Sequence, residues 1–133
     1  MKEVKVIDWA LLILRVFLGI VFLAHGLHKI FGGGISQGFT SMLGSLNFNP
    51  PLLWAWIASI IETLGGAFLI LGILPRLSAL GIALVMLVAI WKVHGSDGFF
   101  AMNGGFEYPF LILGVCVSLI LTGSGKISIF NKL

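Results

Sequence analysis

The sequence predicts an all-α, polytopic membrane protein. It reads as a single domain over residues 1–133, a four-transmembrane-helix bundle with a short interfacial helix between spans one and two. Three observations carry that expectation. Hydrophobic residues make up 59% of the 133 and charged ones only 10%, against about 25% charged in a soluble globular domain. Mean hydropathy is +1.12, and helices apolar enough to produce it would leave a soluble fold of this size almost no polar face for water. The apolar residues also gather into four stretches near the roughly 20 residues that a helix needs to cross a bilayer.

The first stretch, about residues 9–31, follows a basic start at Lys2 and Lys5. It is too long for the apolar region of a signal peptide, roughly 7–15 residues, and it lacks a small-residue cleavage site. It therefore reads as a retained span. Residues 32–51 form an uncharged linker in which Phe39, Met42, Leu43 and Leu46 recur at i, i+3, i+4 and i+7, the spacing of one helical face. That face predicts the interfacial helix, with Ser36 placed to cap it.

Spans two and three follow at about residues 52–74 and 77–93, and Pro75 and Arg76 separate them so briefly that they should form a tight antiparallel hairpin. Span four covers about residues 106–122. Pro109 suits its first turn, where a missing N–H costs nothing, and Gly123 and Gly125 end it. Ala58, Gly65, Gly66, Gly81, Ala83 and Gly114 are small residues that let helices approach closely in lipid.

Charge sets the orientation. Lys2, Lys5, Arg76, Lys126 and Lys132 fall on one side, and only Lys29 and Lys92 on the other. The positive-inside bias then puts both termini in the cytoplasm, with Trp9 at the inner boundary and Trp54, Trp56 and Trp91 at the outer one. The net charge of +3 encodes this orientation and implies no nucleic-acid partner. Cys116 is the only cysteine and lies in an apolar run, which excludes an internal disulfide or a CxxC redox pair. Any thiol chemistry would belong to a partner.

Ionisable residues in such surroundings usually pair, face a protein interior or serve function. A rise of 1.5 Å per residue places Arg15 roughly 9 Å in from the cytoplasmic boundary and Glu62 roughly 15 Å in from the opposite one. The economical pairing is Arg15 with Glu62, an ion pair locking span one to span two, with Lys29 and Lys92 too close to the outer boundary to reach. His25, His28 and Lys29 share a broad face at i, i+3 and i+4, and His94 reaches the same level on span three. Lys92, Asp97 and Glu107 come from the same end, where the turn at residues 95–98 with Phe99 and Phe100 would close over the group.

His25, His94 and Glu107, with Lys29, Lys92 and His28, are thus the candidate proton donors or substrate contacts. Four occupants stay open: a metal, a haem between two histidines, an oxidisable ring such as a quinone, or a plain interfacial hydrogen-bond network. No HExxH, cysteine cluster or paired Glu-x-x-His is present, so no metal is assigned. A quinone, which needs proton donors tuned towards neutrality, would lie near His25, Lys29, His94 and Glu107.

Ordered motifs along the chain resemble the DoxX family. They are LRVFLG at 14–19, HGLHK at 25–29, ETLGG at 62–66 and LGILPR at 71–76, then Ala89 through His94 and Gly95, GFF at 98–100, GFEY at 105–108 and TGSGKIS at 122–128. The resemblance covers about residues 9–130 and maps the family's recurrent polar residues onto Arg15, His25, Lys29, Glu62, His94 and Glu107. It implies a four-helix protein of the prokaryotic inner membrane, related to subunits of thiosulfate:quinone oxidoreductase. Two roles follow from it. One is the membrane subunit of a thiol- or sulfur-linked redox system that meets quinone. The other is a non-catalytic anchor or assembly factor for a soluble sulfurtransferase or oxidative-stress enzyme, with a homo-oligomer open in either case. One departure stands out: Ser128 is followed by Ile129, where many relatives carry an acidic residue.

Overall fold

A computed structural model describes residues 3–130, and the fold is helical throughout. Helix α1 spans Val6–Phe31, α2 Phe39–Ser45, α3 Pro51–Leu71, α4 Pro75–Val88 and α5 Glu107–Thr122. A π-helical turn, Gly34–Gly38, leads into α2, and a second, Ala89–His94, carries α4 onwards into short 3₁₀ turns. Three of these helices are long and apolar enough to cross a membrane: Val6–Phe31, Pro51–Leu71, and α4 with its extension, Pro75–Asp97. The fourth, α5, is apolar but has 16 residues.

Local chemistry accounts for the helix ends. Asp8 accepts a hydrogen bond from the Lys5 backbone N–H at 2.8 Å, satisfying a donor at the start of α1. Pro51 and Pro75 open α3 and α4, with φ already set for a helix. Gly72 ends α3 at φ +74°, and the chain turns straight into α4 through Leu74, which makes the tight hairpin expected around Pro75. Leu43 of α2 is buried with Ile35 and Ala55, and Phe39 packs beside them, so α2 turns these two of its apolar residues to the bundle, while Met42 stays exposed. Ser36 does not cap it. Its hydroxyl donates to the Gly33 carbonyl at 3.2 Å, because the π-helical turn already supplies the chain's entry into α2.

The antiparallel pair α1–α3 forms the broadest helix contact, and α4 packs against both α3 and α5. Gly65 and Gly66 divide the work. A Cβ on Gly66 would lie 2.7 Å from the Gly19 carbonyl of α1, whereas one on Gly65 would lie 3.2 Å from Ile82 of α4. Adjacent small residues on α3 therefore admit a neighbour on each side, the close backbone approach that drives helix association in lipid. Gly114, by contrast, has no neighbour within 4 Å of its Cβ position and takes no part in packing. Leu18 and Phe22, Leu69, Ile82 and Met86, and Ile112 and Cys116 join α1, α3, α4 and α5 in one core.

The end of the bundle that holds the termini is closed by Arg15, which is fully buried. Its Nη1 donates to the Leu69 carbonyl at 3.2 Å, and its Nη2 donates to the Ile127 carbonyl. The predicted pair with Glu62 does not form. Arg15 instead ties α1 to the last turn of α3 and to the segment after α5, which folds back across the base. There Ile129 and Phe130 donate to Leu71 and Gly72 carbonyls, both at 3.1 Å, and Asp8 accepts from the Lys126 N–H at 2.9 Å. Lys5, Arg76 and Lys126 share this end; Lys2 and Lys132, grouped with them from sequence, lie outside the described residues.

Replacing Arg15 with Met leaves the Leu69 carbonyl only the Gly72 N–H, at 3.3 Å, and takes from the Ile127 carbonyl its guanidinium donor. A lost hydrogen bond to a charged group is worth about 1.5–3 kcal/mol. Arg15→Met should lower stability by about 1–3 kcal/mol in detergent thermal unfolding and release the segment around the exposed Lys126 for cleavage by trypsin. Arg15→Lys, which can reach only one of the carbonyls, should fall between. Unchanged cleavage at Lys126 in Arg15→Met would count against the clip.

Candidate functional site

At the end of the bundle opposite the termini lies a cavity of about 430 Å³ between α1, α3 and α4, roofed by α2. Phe22, Phe39, Leu43, Phe48, Ile61 and Met86 form much of its apolar wall, and His25, Lys29, Glu62, His94 and Tyr108 are its polar points. The roof was expected from Phe99 and Phe100. Those rings instead pack edge-on with each other, centroids 5.3 Å apart, and Phe99 packs on Phe106 at the start of α5 at 5.5 Å. Two hydrogen bonds fold the loop that way, Phe106 N–H to Gly98 at 3.0 Å and Glu107 N–H to Phe99 at 2.8 Å.

Glu62 is 3% exposed and holds Lys29 through both oxygens, with Nζ at 2.7 Å from Oε1 and 2.9 Å from Oε2. The ammonium also lies 4.2 Å from the centre of the Phe39 ring, a cation–π contact from the roof. The partner is therefore Lys29 and not Arg15, and the reason is register. Gly19 abuts Gly66, and Gly26 abuts Thr63, so Glu62 lies level with the turn of α1 around His25. Lys29 is one helical turn beyond, within reach. Arg15 lies about ten residues back, roughly 15 Å along the axis. Depth counted separately from each boundary missed how far α3 rises beyond the end of α1.

His94 closes the π-helical turn Ala89–His94. A π turn is wider than an α turn and often occurs where a helix serves a site. The His94 Nδ1 lies 2.7 Å from the Gly104 carbonyl oxygen. A carbonyl only accepts, so Nδ1 carries the hydrogen. In neutral His94, Nε2 is then the unprotonated nitrogen, a base on the side chain that lines the cavity. His25 joins the wall with its ring 6.4 Å from that of Phe22.

The six residues grouped from sequence thus separate. His25, Lys29 and His94 line the cavity, joined by Glu62. His28, on the same α1 face by spacing, is exposed and turned towards Gly32. Lys92 is exposed with its Nζ 4.2 Å over Trp91, and Glu107 is half-buried at the first turn of α5, off the cavity wall. Tyr108 was missed. Its signals were its place in the GFEY motif at 105–108 and its being the only tyrosine in the chain, beside Pro109 at a span start. Among the described residues, no three His, Cys, Asp or Glu side chains come together as metal ligands.

A family model described as DoxX matches residues 10–95, a stretch that contains α1 through the π-helical turn at His94. "Putative oxidoreductase CatD" of Bacillus subtilis (strain 168) is 34% identical over 113 residues, covering 85% of this chain and 78% of that protein. An "Uncharacterized protein" of Haemophilus influenzae (strain ATCC 51907 / DSM 11121 / KW20 / Rd) is 32% identical over 124 residues, covering 90% of this chain and 80% of its own length. No solved structure matches.

The ion pair makes a direct prediction. Removing one partner of a buried pair strands the other charge, at about 3–5 kcal/mol, whereas replacing both by apolar groups is often neutral. Lys29→Met should therefore destabilise the protein by about that amount, and Lys29→Met with Glu62→Leu should recover most of it. Thermal unfolding of the two single variants and the double in one detergent reads the coupling. Additive losses would contradict the pairing.

Proposed function

This chain belongs to the DoxX family of membrane proteins, and from that premise we propose that it is the quinone-facing membrane subunit of a thiol- or sulfur-linked redox system. In this reading α5 completes a four-span bundle in the prokaryotic inner membrane. The end bearing Lys5, Arg76 and Lys126 faces the cytoplasm, in keeping with the positive-inside bias. The cavity then lies towards the opposite surface.

One observation carries the proposal: an apolar cavity among the apolar helices, ending on complementary polar groups. A quinone ring is flat and apolar with an oxygen at each end. Lys29 can donate to one such oxygen, and His94 Nε2 faces the exchange of a proton with the other. Reduction takes two electrons and two protons per quinone. A thiol donor supplies both as two thiols become a disulfide, and the protons pass through groups at the ring's edge. Protonated His94 keeps its Nδ1–H on Gly104, so the proton that comes and goes is the one on Nε2. His25 and Tyr108 are the further hydroxyl or imidazole contacts at the cavity. Cys116 is fully buried in the core, so the sulfur chemistry belongs to a partner. That one relative carries the word oxidoreductase in its name supports a redox role.

A second reading has its own support. The two most buried charged residues, Arg15 and Glu62, both make structural contacts, as a non-catalytic anchor for soluble redox or stress enzymes would require. The two readings separate by substitution. His94→Asn places an amide N–H where Nδ1–H stood, preserving the bond to Gly104 while deleting the Nε2 base. His94→Asn and His25→Ala should each cut quinone reduction by purified protein with its donor, or quinone binding in nanodiscs, by tenfold or more, with thermal unfolding unchanged. Full activity in both variants supports the anchor.

A further inference from the structure

The α3–α4 hairpin is tight at its turn and parts towards the cavity. Near the turn Gly65 meets Ile82, and a Cβ on Gly81 would lie 3.2 Å from Ile61. Past that level α4 presents larger side chains and then changes to the π-helical turn. Ile57 on α3 and Leu84 and Val88 on α4 flank the parting. They are 37%, 53% and 41% exposed, and all three line the cavity. Wall residues that keep this much accessible surface leave the cavity unsealed along the parting. The parting lies within two helices long enough to span the membrane, and its rim carries no charge.

Towards water the roof narrows the way in. Phe39, Leu43 and Phe48 cover that end, and α2 packs down on α3 and on the buried Ile35 and Ala55. Size adds a second argument. At about 430 Å³ the cavity stands at the small end of ligand sites, which run about 300–1,000 Å³. It suits a ring and a few carbons, so a longer chain has to leave it.

We propose that the cavity fills sideways from the bilayer through the α3–α4 parting, and that its ligand is an amphiphile whose polar ring rests by Lys29 and His94. Its isoprenoid or acyl chain lies between Ile57 and Leu84–Val88 and continues into lipid. The proposal rests on the preceding reading of the cavity as a ligand site and adds the class of molecule and the way in. Chain burial in the parting is apolar and non-directional, so it raises affinity without selecting a particular tail.

The test uses full-length protein in lipid nanodiscs and two ubiquinone analogues with the same ring, one bearing a decyl tail and one none, with concentrations expressed per lipid. The tailed analogue should bind at least tenfold more tightly. Leu84→Trp, or Val88→Trp should the first not fold, narrows the parting and should weaken the tailed analogue at least fivefold more than the tailless one. Equal affinity for the two analogues, or an equal loss of both in the tryptophan variant, overturns the proposal. If neither analogue binds, the quinone reading has failed on its own. A phospholipid with a photoreactive acyl chain then decides the parting: labelling at Ala58 and Val85 upholds it, and labelling confined to outward residues such as Leu53 and Leu87 overturns it.

Discussion

The close approach of α1 and α3 at Gly19 and Gly66 sets the rest of the structure. Without a Cβ on either residue, the two backbones come so close that a Cβ on Gly19 would lie 2.6 Å from the Gly66 carbonyl oxygen and one on Gly66 2.7 Å from that of Gly19, which fixes their axial offset. That offset decides which polar residues meet. It brings Lys29 to Glu62 at one end and Arg15 to the last carbonyls of α3 at the other. In lipid no hydrophobic force favours one helix offset over another, so backbone fit and polar contacts have to do it. Here the two agree, and the helix pair has one register.

Much of the fold was legible in the sequence because each signal belongs to a single helix. Apolar length, Pro75 and Gly123 are local features, and the structure begins α4 and ends α5 at them. Pairing is a property of two helices together. Hydropathy placed Arg15 and Glu62 on a common scale of depth, but their true separation depends on a glycine contact that depth does not contain. Gly65 and Gly66 were recognisable as packing residues. That the first serves α4 and the second α1 follows from their directions around α3, about 100° apart, and needs the neighbours in place.

The polar end was half legible for a similar reason. Spacing put His25, His28 and Lys29 on one broad face, yet the cavity is narrower than that face. His25 and Lys29, four apart, stack along the line that faces α3, and His28 falls to its outer side. The π-helical turn before His94 has no simple signature in composition, and neither does the aromatic cluster that draws Phe99 away from the cavity. Both arise from how the loop between α4 and α5 packs. What remains at the site is the Lys29–Glu62 ion pair with His25, His94 and Tyr108 beside it, set in a largely apolar wall.

Arg15 has a further consequence in time. It enters the membrane with the first helix, but one of its two acceptors, the Ile127 carbonyl, lies 112 residues later in the chain. At a synthesis rate of about 5–20 residues per second, the guanidinium waits on the order of 5–20 s for that partner. During the wait it holds at most the carbonyl from α3, with the base of the bundle open to headgroups and water around it. The segment after α5 thus supplies the second acceptor of a cation buried from the first helix on. A chain that stops short of Ile127 lacks that acceptor, a built-in mark by which such a copy differs from one that reaches it.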